Sequence, residues 1–119
     1  MRPEDRDVGL LWDMRKYADE ALELASTRSL AIIEANPKES YELRYVLLVI
    51  GEAASHASDP FQKAHSEIDW ANIVGARNIL VHDYRHTRND LVWAMATEHA
   101  PALVSAINSI IEANPPLSE

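Results

Sequence analysis

The sequence predicts an all-α protein, a helical bundle of four main helices joined by short helical pieces. Three observations predict it. Apolar residues recur every three or four positions along most of the chain, the spacing of one helix face. Only three residues in 119 are glycine and 47% are hydrophobic, which suits a packed helical domain. No stretch alternates apolar and polar residues as a half-buried strand would. One domain over 1–119 is expected, with 1–6 and 114–119 as frayed tails.

The first helix is expected from about Asp7 to Ala25. Leu10, Met14, Tyr17, Ala21 and Leu24 repeat with heptad spacing, and Leu11, Ala18, Leu22 and Ala25 line the adjacent face. Asp13, Lys16, Glu20 and Glu23 form its wet stripe. Ser26-Thr27-Arg28-Ser29 weakens the pattern, and Leu30–Ala35 reads as a short helical piece. Asn36-Pro37-Lys38-Glu39 opens the next helix, with Asn as N-cap, Pro first and Glu third. Its face of Leu43, Val46, Leu47, Ile50, Ala54 and Ala57 places this helix at the centre of the core.

Asp59-Pro60-Phe61-Gln62 repeats the cap for a short helix ending near His65. Asp69 caps a helix expected over 70–84, and Thr87-Arg88-Asn89-Asp90 caps a long one over 88–113. The last turns Val92, Met95, Ala96, Leu103, Ala106, Ile107 and Ile110 inward, and Pro101, lacking an N–H, should kink it. Asn114-Pro115-Pro116 stops it. Trp12, Trp70 and Trp93 all sit in apolar patterns and read as core.

No apolar run approaches the ~18 residues of a membrane span. The beginning, Met1-Arg2-Pro3-Glu4-Asp5-Arg6, lacks the apolar region of a signal peptide. The chain has no cysteine, so disulfides and thiolate metal sites are excluded and a cytoplasmic location is expected. With 11 Lys and Arg against 19 Asp and Glu, the formal charge is −8. Such a field does not attract nucleic acid, so any contact with it must be local.

The stretch that needs explaining is Arg77-Asn78-Ile79-Leu80-Val81-His82-Asp83-Tyr84. At about 100° per residue, Arg77 falls among Ile73, Ala76, Leu80 and Tyr84 on one side of the helix. A guanidinium there must find an anion or reach solvent. Asn78 and His82, four apart, share a neighbouring face. Each residue also has a plainer reading. Arg77 makes a structural ion pair, with Glu52 of the neighbouring helix as partner; His82 is a surface histidine beside a helix end; Tyr84 is a core aromatic. His56, His65 and His99 have no partner visible from spacing. His82 and His86, at i and i+4, echo a zinc-binding helix. Against zinc stand Asp83 in place of the usual glutamate, the lack of a third ligand, Arg85 beside the cation, and a cap at Thr87 that ends the helix too early.

With its flanking blocks, this stretch resembles the HepT-like proteins, the minimal HEPN (higher eukaryotes and prokaryotes nucleotide-binding) domain of toxin–antitoxin pairs. The resemblance is carried by Ile50-Gly51-Glu52-Ala53-Ala54, Ile68-Asp69-Trp70, Ile73-Val74-Gly75, Arg77-Asn78…His82-Asp83-Tyr84 and Leu91-Val92-Trp93. It covers nearly the whole chain. It implies an up-and-down HEPN bundle, dimeric about a two-fold axis, with Arg and His of both subunits lining an interfacial cleft. It also implies metal-independent RNA cleavage without a cofactor, as the toxin of a type VII pair. The antitoxin implied is a minimal nucleotidyltransferase (MNT) that transfers AMP to the tyrosine of the His-x-Tyr element, here Tyr84. One departure follows Tyr84: Arg85-His86-Thr87-Arg88 stands where relatives often carry an aromatic and aspartates.

Histidine and arginine suit this chemistry. Histidine moves protons near neutral pH, and arginine's fork matches a phosphorane and keeps its charge. The expected catalytic residues are therefore Arg77, Asn78 and His82, with Glu52 as structural support. Arg85, His86 and Arg88 are expected to touch flanking phosphates, since the segment from 77 to 88 carries a formal +2. Arg77 and His82 lie about 140° apart on an ideal helix, which favours a site shared across a dimer. The competing reading is a catalytically silent HEPN subunit that positions a nucleotide or substrate for a nucleotidyltransferase. Growth arrest on expression of the chain alone, lost in His82→Ala, separates the two.

Overall fold

A computed structural model describes residues 3–83 and 86–117, and among them the regular elements are all helical. The first helix, α1 (Pro3–Ser26), begins inside the stretch expected to fray. Its opening turns are tied down by Asp7, only 5% exposed, whose carboxylate accepts from the Ser58 amide at 2.8 Å and the Ser58 hydroxyl at 2.7 Å. Leu11, Met14, Ala18 and Ala21 are wholly buried along α1, a stripe that combines members of both expected apolar faces.

Ser29 caps α2 (Leu30–Ala35), its hydroxyl accepting from the Ile32 amide. Asn36 precedes α3 (Pro37–Ser55) as expected, but its side chain does not cap it. The Asn36 amide instead donates back to the Ile32 carbonyl at 2.9 Å, satisfying the end of α2. On α3 the predicted apolar face is buried throughout, and the helix lies between α1 and the later helices.

The cap of α4 (Asp59–Ala64) is Ser58, one residue before the expected Asp59, and its hydroxyl accepts from the Phe61 amide. Asp69 caps α5 (Trp70–His82) as expected. Trp70 is buried, with its indole N–H donating to the His65 carbonyl at 2.9 Å, and Leu80 is fully buried. This helix ends at His82 rather than at residue 84.

The expected long helix over 88–113 is three pieces: α6 (Asn89–Ala94), a π-helical turn (Met95–His99) and α7 (Ala100–Ala113). Thr87 does not cap it, because its hydroxyl donates to the Asp83 carbonyl at 2.6 Å. Pro101 explains the wide turn. In a regular helix its ring would meet the carbonyl four residues back, and it has no N–H to give. The Ala100 amide reaches back five residues to the Met95 carbonyl instead. The result is a local widening just before the proline.

A short 3-10 turn, Pro115–Leu117, replaces the expected tail. The Trp12 indole donates to the Leu117 carbonyl at 2.9 Å and so fastens it to α1. Trp12 and Trp93 are half-buried, and of the three tryptophans only Trp70 is buried in the core. In the packing, α1 lies against α3 and α7, and α3 lies against α5. Leu11, Met14, Leu43, Leu80, Val92 and Ile107 fill the centre, each contributing about 1.5–3 kcal/mol by burial. No helix of the described residues is long and apolar enough to cross a membrane.

Candidate nuclease site on the edge of the bundle

The sequence places Gly51 where α3 and α5 come closest. A β-carbon at Gly51 would lie 2.2 Å from the Arg77 Cβ and 3.2 Å from its Cα, so only glycine admits this approach. The next residue on α3, Glu52, meets the arginine head. Arg77 Nε donates to Glu52 Oε1 at 2.6 Å, and Nη2 lies 2.5 Å from the same oxygen. This resolves the arginine in the apolar stripe: its stem lies against Gly51 of α3, its head is paired, and the side chain as a whole is 30% exposed.

A further bond ties the guanidinium to the next residue of its own helix. Arg77 Nη1 donates to Asn78 Oδ1 at 2.9 Å. Asn78 stands one turn before His82 on the same exposed face of α5. Among the described residues, the guanidinium is thus held by two hydrogen bonds and an ion pair, and the side chain remains partly open to solvent. Leu80 anchors α5 in the core between these residues, and His82, exposed, closes the last turn.

Glu52 also serves a residue that spacing left unassigned. Its Oε2 lies 3.8 Å from His56 Nε2, so one carboxylate stands between an arginine and a histidine. His65 likewise finds Glu67 at 3.8 Å, and its ring packs on Phe61 with centroids 4.5 Å apart.

The flanking basic segment carries an ion pair of its own. Arg88 is paired with the Asp90 carboxylate, and this pairing holds Asp90 below its ordinary value of 3.8. Glu52 and Asp90, both outside the 77–88 window, together offset its formal +2. His86 is exposed and lies beyond the end of α5, so the two-histidine helical pair considered for zinc does not form on one helix. Tyr84 and Arg85 lie outside the described residues. Among those described, no three His, Asp or Glu side chains gather to hold a metal ion.

Two features had no advance reading. One is a groove of about 570 Å³ between α5 and α7, lined by Leu47, Ile50, Ile73, Ile79, Met95 and Leu103 among others. The other is Arg44 on α3, only 3% exposed. Its sequence signal was an arginine between Leu43 and Val46 with a serine one turn earlier.

The ribonuclease HepT-like family profile matches residues 14–110, and the chain belongs to this family of HEPN proteins. A Methanocaldococcus jannaschii protein named "Putative RNase MJ1380" is 26% identical over 106 residues, covering 88% of this chain and 97% of the relative. A Thermococcus cleftensis protein named "Probable ribonuclease HepT" is 28% identical over 88 residues, covering 71% of this chain and 80% of the relative. No solved structure matches the chain.

Proposed function

We propose that the chain is an endoribonuclease toxin that cuts RNA at the Arg77–Asn78–His82 edge without a metal. The carrying observation is the partly exposed arginine held by Glu52 and Asn78, on the helix that ends in an exposed His82. A base removes the proton of the RNA 2′-hydroxyl, and that oxygen attacks phosphorus. The P–O5′ bond then breaks, and the departing oxygen takes a proton. His82 supplies proton transfer, while the Arg77 guanidinium holds the charge that gathers on the phosphoryl oxygens. Asn78 positions the guanidinium. The products are a 2′,3′-cyclic phosphate and a 5′-hydroxyl.

The working unit is a two-fold dimer. The groove between α5 and α7 leaves Ile79 48% exposed, and a second copy would cover this apolar face and supply a second histidine and arginine. The resemblance further supports an MNT antitoxin that transfers AMP to Tyr84. Co-expression with such a partner followed by intact mass spectrometry tests that part. The expected result is added mass in multiples of AMP, absent in Tyr84→Phe.

The central test is cleavage of RNA in EDTA by purified protein, with expression of the chain alone as its cellular counterpart. Arg77→Ala and His82→Ala should each slow cleavage at least ~100-fold. Metal dependence, or full activity of both variants, overturns the mechanism, and harmless expression favours the silent binding subunit.

A further inference from the structure

Arg44 is nearly inaccessible, and a buried guanidinium is costly unless its donors are met. Its Nε donates to the Ser40 hydroxyl at 3.0 Å. Its Nη2 donates to the Thr87 carbonyl at 2.5 Å and to Asn89 Oδ1 at 2.9 Å. Ser40 donates in turn to Asn89 Oδ1 at 2.6 Å, and the Tyr41 ring lies 5.9 Å from the guanidinium carbon. The cluster thus joins the middle of α3 to the connection between α5 and α6.

That connection leads back to the histidine. The Thr87 amide and hydroxyl both donate to the Asp83 carbonyl, at 2.8 and 2.6 Å. The Asp83 amide donates to the Ile79 carbonyl at 3.0 Å and closes the last turn of α5, whose final residue is His82. Arg44 therefore stands two bonded links from the residue that follows His82.

We propose that Arg44 is a positioning residue that fixes the His82 end of α5 relative to Arg77. The inference rests on the ribonuclease reading for its effect on catalysis, though not for its structural content. One rigid helix, α3, then holds both halves of the site. Gly51 and Glu52 hold Arg77, and about two turns earlier Arg44 holds the segment beyond His82. A small shift of that segment would move the imidazole while leaving the guanidinium in place, and misplacement of about 1 Å can cost on the order of 100-fold in rate.

The test uses full-length Arg44→Met, which keeps the stem and removes the donors, Arg44→Lys, and the milder Asn89→Ala. Three quantities are read: amide hydrogen exchange, the His82 imidazole signals by NMR, and RNA cleavage. In Arg44→Met, exchange at Asp83 and Thr87 should accelerate at least about tenfold beyond any change at core amides of α1 and α3. The His82 signals should shift, and kcat should fall roughly 10- to 100-fold with KM changed less than about threefold. The histidine limb of the pH–rate profile should move as well. Arg44→Lys, which has no fork, should recover only part of this. If Arg44→Met does not fold, Asn89→Ala should show the same pattern at smaller amplitude. A uniform loss of protection across the bundle, or unchanged His82 signals despite a loosened 83–87 segment, overturns the proposal. If the wild-type protein cuts no RNA, the ribonuclease reading fails, while exchange and the His82 signals still decide the positioning role.

Discussion

A β-carbon on Gly51 would sit 2.2 Å from the Cβ of Arg77, which makes this glycine the contact that sets the distance between α3 and α5. The collision involves the base of the side chain and the backbone, so rotating the arginine head cannot relieve it. Gly51→Ala should destabilise the protein by about 1–3 kcal/mol, the usual cost of overpacking, although alanine is the better helix former. Gly9, in α1 with nothing within 4 Å, gives the opposite sign. Gly9→Ala should stabilise by about 0.5–1 kcal/mol. Urea denaturation of the two variants measures both.

Glu52→Gln separates stability from placement. The pair with Arg77 is partly exposed on both sides, so its loss should cost less than about 1 kcal/mol. Cleavage should suffer far more. The glutamine amide oxygen still accepts a hydrogen bond but no longer attracts the guanidinium by charge, so Arg77 is held more loosely and kcat should fall about tenfold or more. Equal turnover in Glu52→Gln would show that a neutral acceptor at position 52, with Asn78, places the arginine well enough.

The Asp90 carboxyl should titrate below 3.8, because the Arg88 side chain bonds to its charged form and its own guanidinium charge adds to the effect. The folded-state value is depressed, so any contribution to stability is present above the ordinary value and disappears as pH falls through the folded one. Carbon-detected NMR titration measures it. In Arg88→Ala the titration should return toward 3.8.

Removing residues 115–119 should loosen the start of the bundle. The Trp12 indole would lose its acceptor, the Leu117 carbonyl, and Leu117 would no longer pack on the core. A stability loss of about 1–2 kcal/mol is expected, with a red shift of tryptophan emission from the newly wetted Trp12.

What the sequence revealed was largely local. The helix of Leu30–Ala35, the starts at Pro37 and Trp70, and the buried face of Leu43, Val46, Leu47 and Ile50 all follow from periodicity and from Pro and Asp signals within a few residues. Arg77 announced itself as an anomaly because a charge in an apolar stripe requires a partner. Asn36 is the N-cap of α3 as expected, but its side chain, like that of Thr87, is drawn to a competing backbone carbonyl, Ile32 for Asn36 and Asp83 for Thr87. The α4 cap lies one residue before Asp59, at Ser58, which the distant Asp7 also holds. Arg44 was hidden because its acceptors at Ser40, Thr87 and Asn89 come together only after folding. The wide turn before Pro101 was foreseen as a kink. Its form was not, since a missing N–H can be met by bending or by widening.

The carboxylates on Arg77 and Arg88 govern how a strand of nucleic acid would first meet this molecule. With both arginines partnered and a formal charge of −8, an approaching polyanion is repelled at long range and finds attraction only on contact. Encounter is then not accelerated by steering, and mobile ions that shorten the range of repulsion should raise the association rate, the reverse of the behaviour of a basic nucleic-acid-binding protein. Capture would depend on one phosphate reaching the exposed part of the Arg77 guanidinium, so passing strands that do not present it there would leave as quickly as they arrived.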